Sequence, residues 1–388
     1  MPLNHEFFSS LFPRFNFAEL TILEIIILSI ILFYFVFYII TDFRHLLFYR
    51  KRTTASGDYQ KSVSIILSTK NEFDVLQPVL ESLLKQDYHD FEVVVVDDCS
   101  EDRTPIALQK MSLEYPQLVF TRIFNETEFN NALTLSVGTR AASKEWLLFL
   151  TPNMRPVKKD YLKTLMAGVK EDDILVQGLC NYEPVKSWSN YFLRLHIIKY
   201  GIDHFSNSQI NGLVPALPYN IAYKRHHFTD TKGFRAFLDE RFYINEWYAH
   251  SLTQTSKQLA IVMDPRAKVL LNDPYDKCDY LNQREKYLLM KKRYGFGQKV
   301  MQWLKNWGWP VSFISLLLLI VCSKYRVWGL LLFSLGSLIH MLITRWITKK
   351  IQEKNFVLFE YISRLFWPFY SFNFWLKFRI QRQRRRWS

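Results

Sequence analysis

Cysteine is scarce in this chain of 388 residues, and its four cysteines show no paired spacing: Cys99, Cys180, Cys278 and Cys322. A zinc site or a disulfide framework would need such pairs, so the sequence indicates neither, and a reducing, cytosolic environment is the simpler expectation. Internal repeats, low-complexity linkers and nucleic-acid motifs with interleaved aromatic residues are also absent. The expected organisation is therefore one large domain with additional membrane elements.

A long apolar run lies near the N-terminus, from Leu20 to Ile40, and only Thr21, Glu24 and Ser29 interrupt it. At about 1.5 Å per residue, a helix of this length spans the ~30 Å core of a bilayer. No small-residue cleavage site follows, so we expect a retained anchor rather than a removed signal peptide. Only Arg14 precedes the run, whereas a basic group follows it, which predicts that the rest of the chain is cytoplasmic: Arg44, Arg50, Lys51 and Arg52.

Two further apolar segments lie in the C-terminal third of the chain, at about Trp309–Cys322 and Trp328–Ile343. Residues 323–326 would form the turn between them, and the basic residues after the second segment return the chain to the cytoplasmic side. We predict a transmembrane hairpin within residues 300–350, with a re-entrant or interfacial hairpin as the alternative. Either arrangement leaves the central domain and the C-terminus on one side of the membrane.

The last region, residues 351–388, combines aromatic residues with positive charge. Residues 356–378 are typical of an amphipathic helix that lies in the membrane interface. A basic tail ends the chain: Lys377, Arg379, Arg382, Arg384, Arg385 and Arg386. Arginine clusters bind any phosphate, RNA included, but beside three apolar segments we expect anionic lipids as the partner and no nucleic acid.

The centre of the chain begins with a strand–helix–strand pattern. The runs Val63–Leu67 and Val93–Val96 are short, continuous and β-branched, as in strands buried on both faces of a parallel sheet. Between them, apolar residues recur at helical spacing: Val75, Val79, Leu80, Leu83 and Leu84. A right-handed crossover places the two strands side by side, so loops 68–72 and 97–100 meet at the edge where such sheets bind ligands.

This stretch, Val63–Thr104, resembles the inverting glycosyltransferases of family 2, and the resemblance extends to about Lys292. It implies an α/β, mainly parallel GT-A fold over residues 60–295, behind an N-terminal anchor at 1–45. It also implies a nucleotide-sugar donor, whose base and ribose would be held by Thr69, Glu72, Asp97 and Asp98. The alternative for these aspartates is a role at the start of the next helix, although Ser100 and Asp102 could cap that helix unaided.

A small-residue helix from Asn131 and an apolar strand ending at Leu150 resemble the run before the family's metal-binding DxD motif. At the motif itself the chain has Thr151 and Asn153, so both carboxylates that would chelate a divalent cation are missing. We predict no metal ligands and no cofactor beyond the donor. A protein cation would then stabilise the leaving diphosphate, and Arg155 is the candidate because guanidinium binds phosphate oxygens bidentately; a solvated loop residue is the alternative.

Three later motifs resemble the family only in part. Inverting transfer needs a carboxylate that takes the proton of the acceptor hydroxyl. Spacing from Gly233 assigns this role to Asp239, with Glu240 beside it. A shifted register would assign it to Glu246, and the other alternative is an acidic residue that only stabilises the start of a helix. Asn220 matches part of another family motif, and the resemblance implies that it contacts the acceptor. The QxxRW motif, which in the family binds the acceptor or the diphosphate, is only partly kept. Gln283 matches its glutamine, but Lys286 stands in place of the arginine and Tyr287 in place of the tryptophan.

The sequence thus predicts an enzyme of the cytoplasmic (inner) membrane, multi-pass, with its α/β domain in the cytoplasm. It would move a sugar from a nucleotide-sugar to a lipid-linked or envelope glycan, as in polysaccharide biosynthesis. One alternative is a catalytically inactive, glycosyltransferase-like scaffold that binds other envelope-assembly proteins. A second is a lipid-binding anchor whose domain binds a protein partner.

Overall fold

The computed structural model describes residues 20–51, 61–124, 131–211, 219–237, 244–255, 258–272, 295–354 and 357–364, and single residues 366, 369, 372 and 376. The chain divides into two compact units. We call Met1–Phe48 with Tyr287–Ser388 the helical unit, and Tyr49–Lys286 the α/β unit. The first described helix, α1, runs from Ile22 to Lys51.

The first half of the α/β unit alternates strands with helices: β1 (Val63–Thr69), α2 (Phe73–Leu84), β2 (Phe91–Asp98), α3 (Thr104–Glu114), β3 (Leu118–Ile123), α4 (Asn131–Ala141) and β4 (Trp146–Phe149). Strands β1, β2, β3 and β4 are parallel. The β-branched runs of β1 and β2 are fully buried, as strands covered on both faces require. The predicted strand–helix–strand unit is therefore confirmed.

The second half is more irregular: β5 (Met154–Pro156), α5 (Tyr161–Ala167), β6 (Leu175–Gln177), β7 (Cys180–Tyr182), α6 (Trp188–Asn211), β8 (Ile221–Lys224), α7 (Arg225–Asp230), a 3₁₀ helix (Gly233–Phe237), α8 (Ile244–Thr255), β9 (Leu259–Ile261), a 3₁₀ helix (Pro265–Ala267) and β10 (Val269–Leu271). A seven-stranded sheet has the order β3-β2-β1-β4-β8-β6-β9, and a three-stranded sheet the order β5-β10-β7. Strand β8 is antiparallel to both of its neighbours. The architecture is the predicted α/β fold with a mainly parallel sheet.

Two predicted helix faces need correction. On α2 the buried residues of the first turn are Phe73 and Leu76, whereas Val75 is only half-buried. On α6 the helical spacing in the sequence predicts one apolar face: Trp188, Tyr191, Phe192, Leu195 and Ile198. Leu195 and Ile198 are buried, but Trp188 and Phe192 are 76% and 42% exposed. The burial of this helix is continuous rather than one-sided, since every residue from Leu193 to Ile198 is buried.

The helical unit contains the part of α1 up to Phe48, α9 (Phe296–Cys322) and α10 (Arg326–Lys350), and residues 357–364 are also helical. Within the described ranges, three helices are long and apolar enough to cross a membrane: Ile22–Tyr49, Phe296–Cys322 and Arg326–Lys350. The hairpin and its turn agree with the sequence, but α9 starts well before the predicted Trp309. Pro310 lies inside this helix, and the packing of Trp309 against Tyr34 and Tyr38 of α1 stabilises the helix there.

Candidate functional site

The carboxyl end of β2 carries two adjacent aspartates at the edge where β1, β2 and β4 end. The register pairs Asp97 with Thr69 of β1 on one side and with Arg122 of β3 on the other. The Asp97 side chain is fully buried, its Oδ2 lies 3.1 Å from Nε of Arg122, and its two oxygens lie 3.3 and 3.4 Å from the backbone nitrogen of Ser100. The protein therefore compensates this buried charge itself, with one cation and one backbone N–H.

Thr69 offers a polar atom that the protein does not use. Its side chain is buried, and its Oγ1 has no hydrogen-bond partner within the described ranges. Buried hydroxyl groups in folded proteins are normally paired, so this oxygen is available to a ligand. Asp98, the next residue of β2, is 7% exposed and on the opposite face of the strand from Asp97. Glu72 is exposed just before α2 and makes no side-chain cap of that helix.

Asn71 connects the two loops at this edge. Its Oδ1 accepts hydrogen bonds from the backbone nitrogens of Glu101 (2.8 Å) and Asp102 (3.3 Å), and its own nitrogen donates to Oγ of Ser100 (2.8 Å). Asn71 has a φ of 54°, in the left-handed region that asparagine tolerates better than most residues. Loops 68–72 and 97–100 are thus held as one rigid surface, and Ser100 serves this connection rather than capping α3.

We expect Asn71→Ala to weaken nucleotide binding about tenfold, since it removes two hydrogen bonds and leaves a left-handed backbone without a residue suited to it. Asn71→Gly is the matched control, because glycine adopts this conformation freely but lacks the amide. Calorimetric titration with a nucleoside diphosphate should rank the affinities as wild type, then Gly, then Ala. Wild-type affinity in both variants would mean that the connection between the loops does not support binding.

The position of the degenerate DxD motif follows β4. Thr151 donates its hydroxyl proton to Oδ1 of Asn153, and the carbonyl oxygen of Asn153 accepts from the backbone nitrogen of Asn272 at 2.8 Å. A hydroxyl and an amide offer only neutral oxygens, whereas Mg2+ and Mn2+ favour carboxylates. In the described part of the chain, no three His, Cys, Asp or Glu side chains form a group that could hold a metal. These residues therefore do not fit a divalent cation.

Arg155, the candidate diphosphate cation, lies on β5 opposite Leu270 of β10. Its guanidinium forms an ion pair with Glu183, and the two side chains are 49% and 26% exposed. This partner could not be predicted from the sequence, since Glu183 is 28 residues away and meets Arg155 through the β5-β10-β7 sheet. Any anion that binds Arg155 would compete with Glu183.

Asn220, the candidate acceptor residue, is fully buried at the start of β8. Its amide nitrogen donates to the carbonyl oxygens of Leu179 (2.8 Å) and Ala267 (2.9 Å), and its Oδ1 accepts from the Tyr161 hydroxyl (2.6 Å). Burial raises the pKa of Tyr161, which keeps that hydroxyl protonated as a donor. These bonds give Asn220 a structural role, and acceptor binding by its side chain, which stays a prediction, would require the network to open.

Asp239, Glu240, Gln283 and Lys286 lie outside the described residues, and so does the side chain of Glu246. The chain on both sides of residues 238–243 packs at the end of β4. Phe149 of β4 contacts Phe234 with ring centroids 4.9 Å apart, and Phe234 in turn contacts Tyr248 of α8 at 5.7 Å. The described chain therefore enters and leaves this segment close to Thr151.

Polar loops at the carboxyl ends of parallel strands, with a buried unpaired hydroxyl beside two aspartates, lie at the edge where open α/β sheets bind ligands. Residues 64–230 match the sequence model of glycosyl transferase family 2. The α/β unit therefore carries a glycosyltransferase family 2 domain with the GT-A fold.

Parts of this chain are similar in sequence to known proteins. An uncharacterized glycosyltransferase of Haemophilus influenzae is 39% identical over 88 residues, which are 23% of this chain and 28% of that protein. The 4,4'-diaponeurosporenoate glycosyltransferase of Staphylococcus haemolyticus is 26% identical over 187 residues, 48% of this chain and 39% of that protein. The chain thus spans less than half the length of either relative.

One solved structure is similar to most of the fold. The mannosyltransferase PcManGT of Pyrobaculum calidifontis, solved with GDP-Man and Mn2+, aligns with a TM-score of 0.53 and 18% identity. The alignment covers 89% of this chain and 99% of that one. At this identity the likeness supports the GT-A fold alone.

Proposed function

We propose that this protein transfers a sugar, with inversion, from a nucleotide-sugar donor to a lipid-linked or envelope glycan acceptor. The observation that carries the proposal is the family 2 domain, whose matched region places Thr69, Asp97 and Asp98 at one edge of the sheet. Thr69 and Asp98 would contact the nucleoside, Glu72 would lie at the rim of the site, and Asp97 would hold the loop below it. The donor complex of the Pyrobaculum mannosyltransferase supports a nucleotide-sugar as the ligand class.

The reaction joins the acceptor oxygen to the anomeric carbon as the bond to the diphosphate breaks. Asp239, with Glu240 beside it, would take the proton of the attacking hydroxyl, and the leaving nucleoside diphosphate would keep the bonding electron pair. Arg155 and Lys286 would offset the charge that develops on the diphosphate. No step in this scheme uses a metal, because the side chains at positions 151 and 153 do not fit one.

The three candidate spans support the proposed acceptor and location. A chain with such helices keeps its catalytic domain near a bilayer, where lipid-linked acceptors are present. The basic residues that follow the apolar run of α1, from Arg44 to Arg52, support a cytoplasmic α/β unit. Anionic lipids would be further partners of the basic tail.

A second candidate function is an inactive, glycosyltransferase-like scaffold for envelope-assembly proteins. The observation that favours it is the loss of both DxD carboxylates at Thr151 and Asn153. Such a protein would bind nucleotide weakly or not at all and would have no turnover. The two candidates therefore differ in one measurable property, which is metal-free binding of a nucleoside diphosphate.

Calorimetric titration of the purified protein with UDP and GDP, with and without manganese, tests the proposal. We expect binding without metal, little effect of chelators on any activity, and at least tenfold weaker binding in Arg155→Ala, because the guanidinium would lose its contact with the diphosphate. Glu183→Gln is the matched variant: it removes the competing carboxylate, so we expect affinity to rise about threefold to tenfold.

The outcomes separate the candidates. Strong inhibition by chelators would contradict the replacement of the metal by arginine, and unchanged affinity in both variants would remove Arg155 from the site. An absence of binding under every condition would favour the scaffold.

A further inference from the structure

The helical unit contains a chain of four ionisable side chains that the proposed reaction does not use. They come from three separate segments: Asp42 of α1, His340 of α10, and Glu360 and Arg364 of the helix 357–364. Asp42, His340 and Glu360 are almost fully buried, with side chains 3–6% exposed. Ionisable residues within membrane-spanning bundles are costly and usually have a function.

The geometry around His340 indicates which of its ring nitrogens carry protons. Its Nδ1 lies 3.0 Å from both carboxylate oxygens of Asp42, and its Nε2 lies 3.2 Å from Oε2 of Glu360. Ionised carboxylates only accept hydrogen bonds, and a neutral imidazole has a single N–H. The hydroxyl oxygen of Thr344 also lies 3.3 Å from Nε2, but only the imidazolium, with two N–H groups, donates to both carboxylates at once.

The charges of the four groups support the same assignment. Glu360 also accepts a hydrogen bond from Nε of Arg364, which is always charged. With His340 protonated, two anions face two cations and the cluster is neutral. With His340 neutral, one uncompensated negative charge remains in a buried site, which is strongly unfavourable.

Other titratable groups lie near the cluster in the described part of the chain. They include His45 and Tyr38 of α1 and Tyr361 of the helix 357–364. From α9 the neighbour is Trp309, whose ring centroid lies 5.9 Å from that of His340 and which does not titrate. His340 is therefore the group whose proton decides whether the cluster is balanced.

We infer that doubly protonated His340 bridges Asp42 to Glu360, and that this bridge is a proton-dependent attachment of the helix 357–364 to α1 and α10. The bridge is complete while His340 holds both protons. Once His340 loses one, an unprotonated ring nitrogen faces a carboxylate and the attachment weakens. Because the aromatic segment and the basic tail follow Arg364 directly in the sequence, the pH on this side would control how firmly the C-terminal region is held.

Nitrogen NMR of the full-length, histidine-labelled protein in nanodiscs tests the protonation state without any substitution. At about pH 7.5, where an ordinary histidine is neutral, we expect both ring nitrogens of His340 to be protonated. The His340→Gln spectrum identifies the signal. A neutral His340 at about pH 6 would overturn the inference.

Hydrogen exchange of residues 357–364, corrected for the intrinsic effect of pH, tests the attachment. In the wild type we expect exchange to accelerate at least tenfold as His340 loses its proton. His340→Gln should exchange rapidly at every pH, while His89→Gln should behave as the wild type. If His340→Gln fails to fold, the wild-type titration still decides: exchange that does not change as His340 deprotonates would overturn the attachment.

Discussion

Asp97→Ala is expected to abolish measurable nucleotide binding and to destabilise the α/β unit by about 2–3 kcal/mol. Removing one partner of a buried ion pair usually costs about 3–5 kcal/mol, and the lower figure applies because the Arg122 side chain is 34% exposed and water can solvate part of its charge. The variant also removes the group that accepts from the Ser100 nitrogen, so loop 97–100 loses its shape. Calorimetry with a nucleoside diphosphate and thermal melting of the purified protein measure the two effects.

A double-mutant cycle built on Asp97→Asn and Arg122→Gln separates the ion pair from ligand contact. Arg122→Gln leaves a fully buried carboxylate without its cation, so we expect a destabilisation at least as large as that of Asp97→Ala. The double variant Asp97→Asn with Arg122→Gln removes both charges and should recover most of the stability, but not nucleotide affinity. Wild-type affinity in Asp97→Ala would show that the nucleotide binds elsewhere.

Asp239→Asn is expected to leave nucleotide affinity unchanged and to lower turnover by about 100-fold to 10,000-fold. This is the usual contribution of a general base, and asparagine keeps the size of the side chain while losing its ability to take the acceptor proton. Turnover would be measured with the donor that a screen of nucleotide-sugars identifies. Asp230→Asn is the matched control, because Asp230 is an exposed carboxylate on α7 and no role in proton transfer is assigned to it.

The alternative register makes a distinct prediction. If Glu246 is the base, Glu246→Gln loses turnover to the same degree and Asp239→Asn keeps it. If neither variant changes turnover, the proton acceptor lies outside this acidic cluster. Weaker nucleotide binding in Asp239→Asn would instead place that side chain against the donor.

The strands and their register could be predicted because their signal is local. Runs such as Val93–Val96 suit only a strand buried on both faces, and the chirality of the crossover then fixes which loops meet. The positions of Asp97 and Thr69 at one edge follow from these two facts alone. The helical hairpin of α9 and α10 could be predicted in the same way, because length and apolar composition mark its two helices.

The partners of the site residues could not be predicted, because they depend on contacts between distant parts of the chain. Arg122 meets Asp97 through the β2–β3 pairing, and Glu183 meets Arg155 through the second sheet. Asn71 lies within a recognised motif, but its hydrogen bonds to the second loop depend on a left-handed backbone conformation, which the identity of one residue rarely predicts. On α6 the predicted face was half right, because Leu195 and Ile198 are buried whereas Trp188 and Phe192 are exposed.

Strand β8 runs antiparallel to its neighbours, and this direction determines which of its residues lie beside the polar loops. Phe149 pairs with Ile221, so the entrance of β8 borders the same edge at which β1, β2 and β4 finish. The first residues of β8 therefore border this edge without belonging to the aspartate loops. Substitutions at the start of β8 would change one side of the edge while the hydrogen bonds between loops 68–72 and 97–100 are kept.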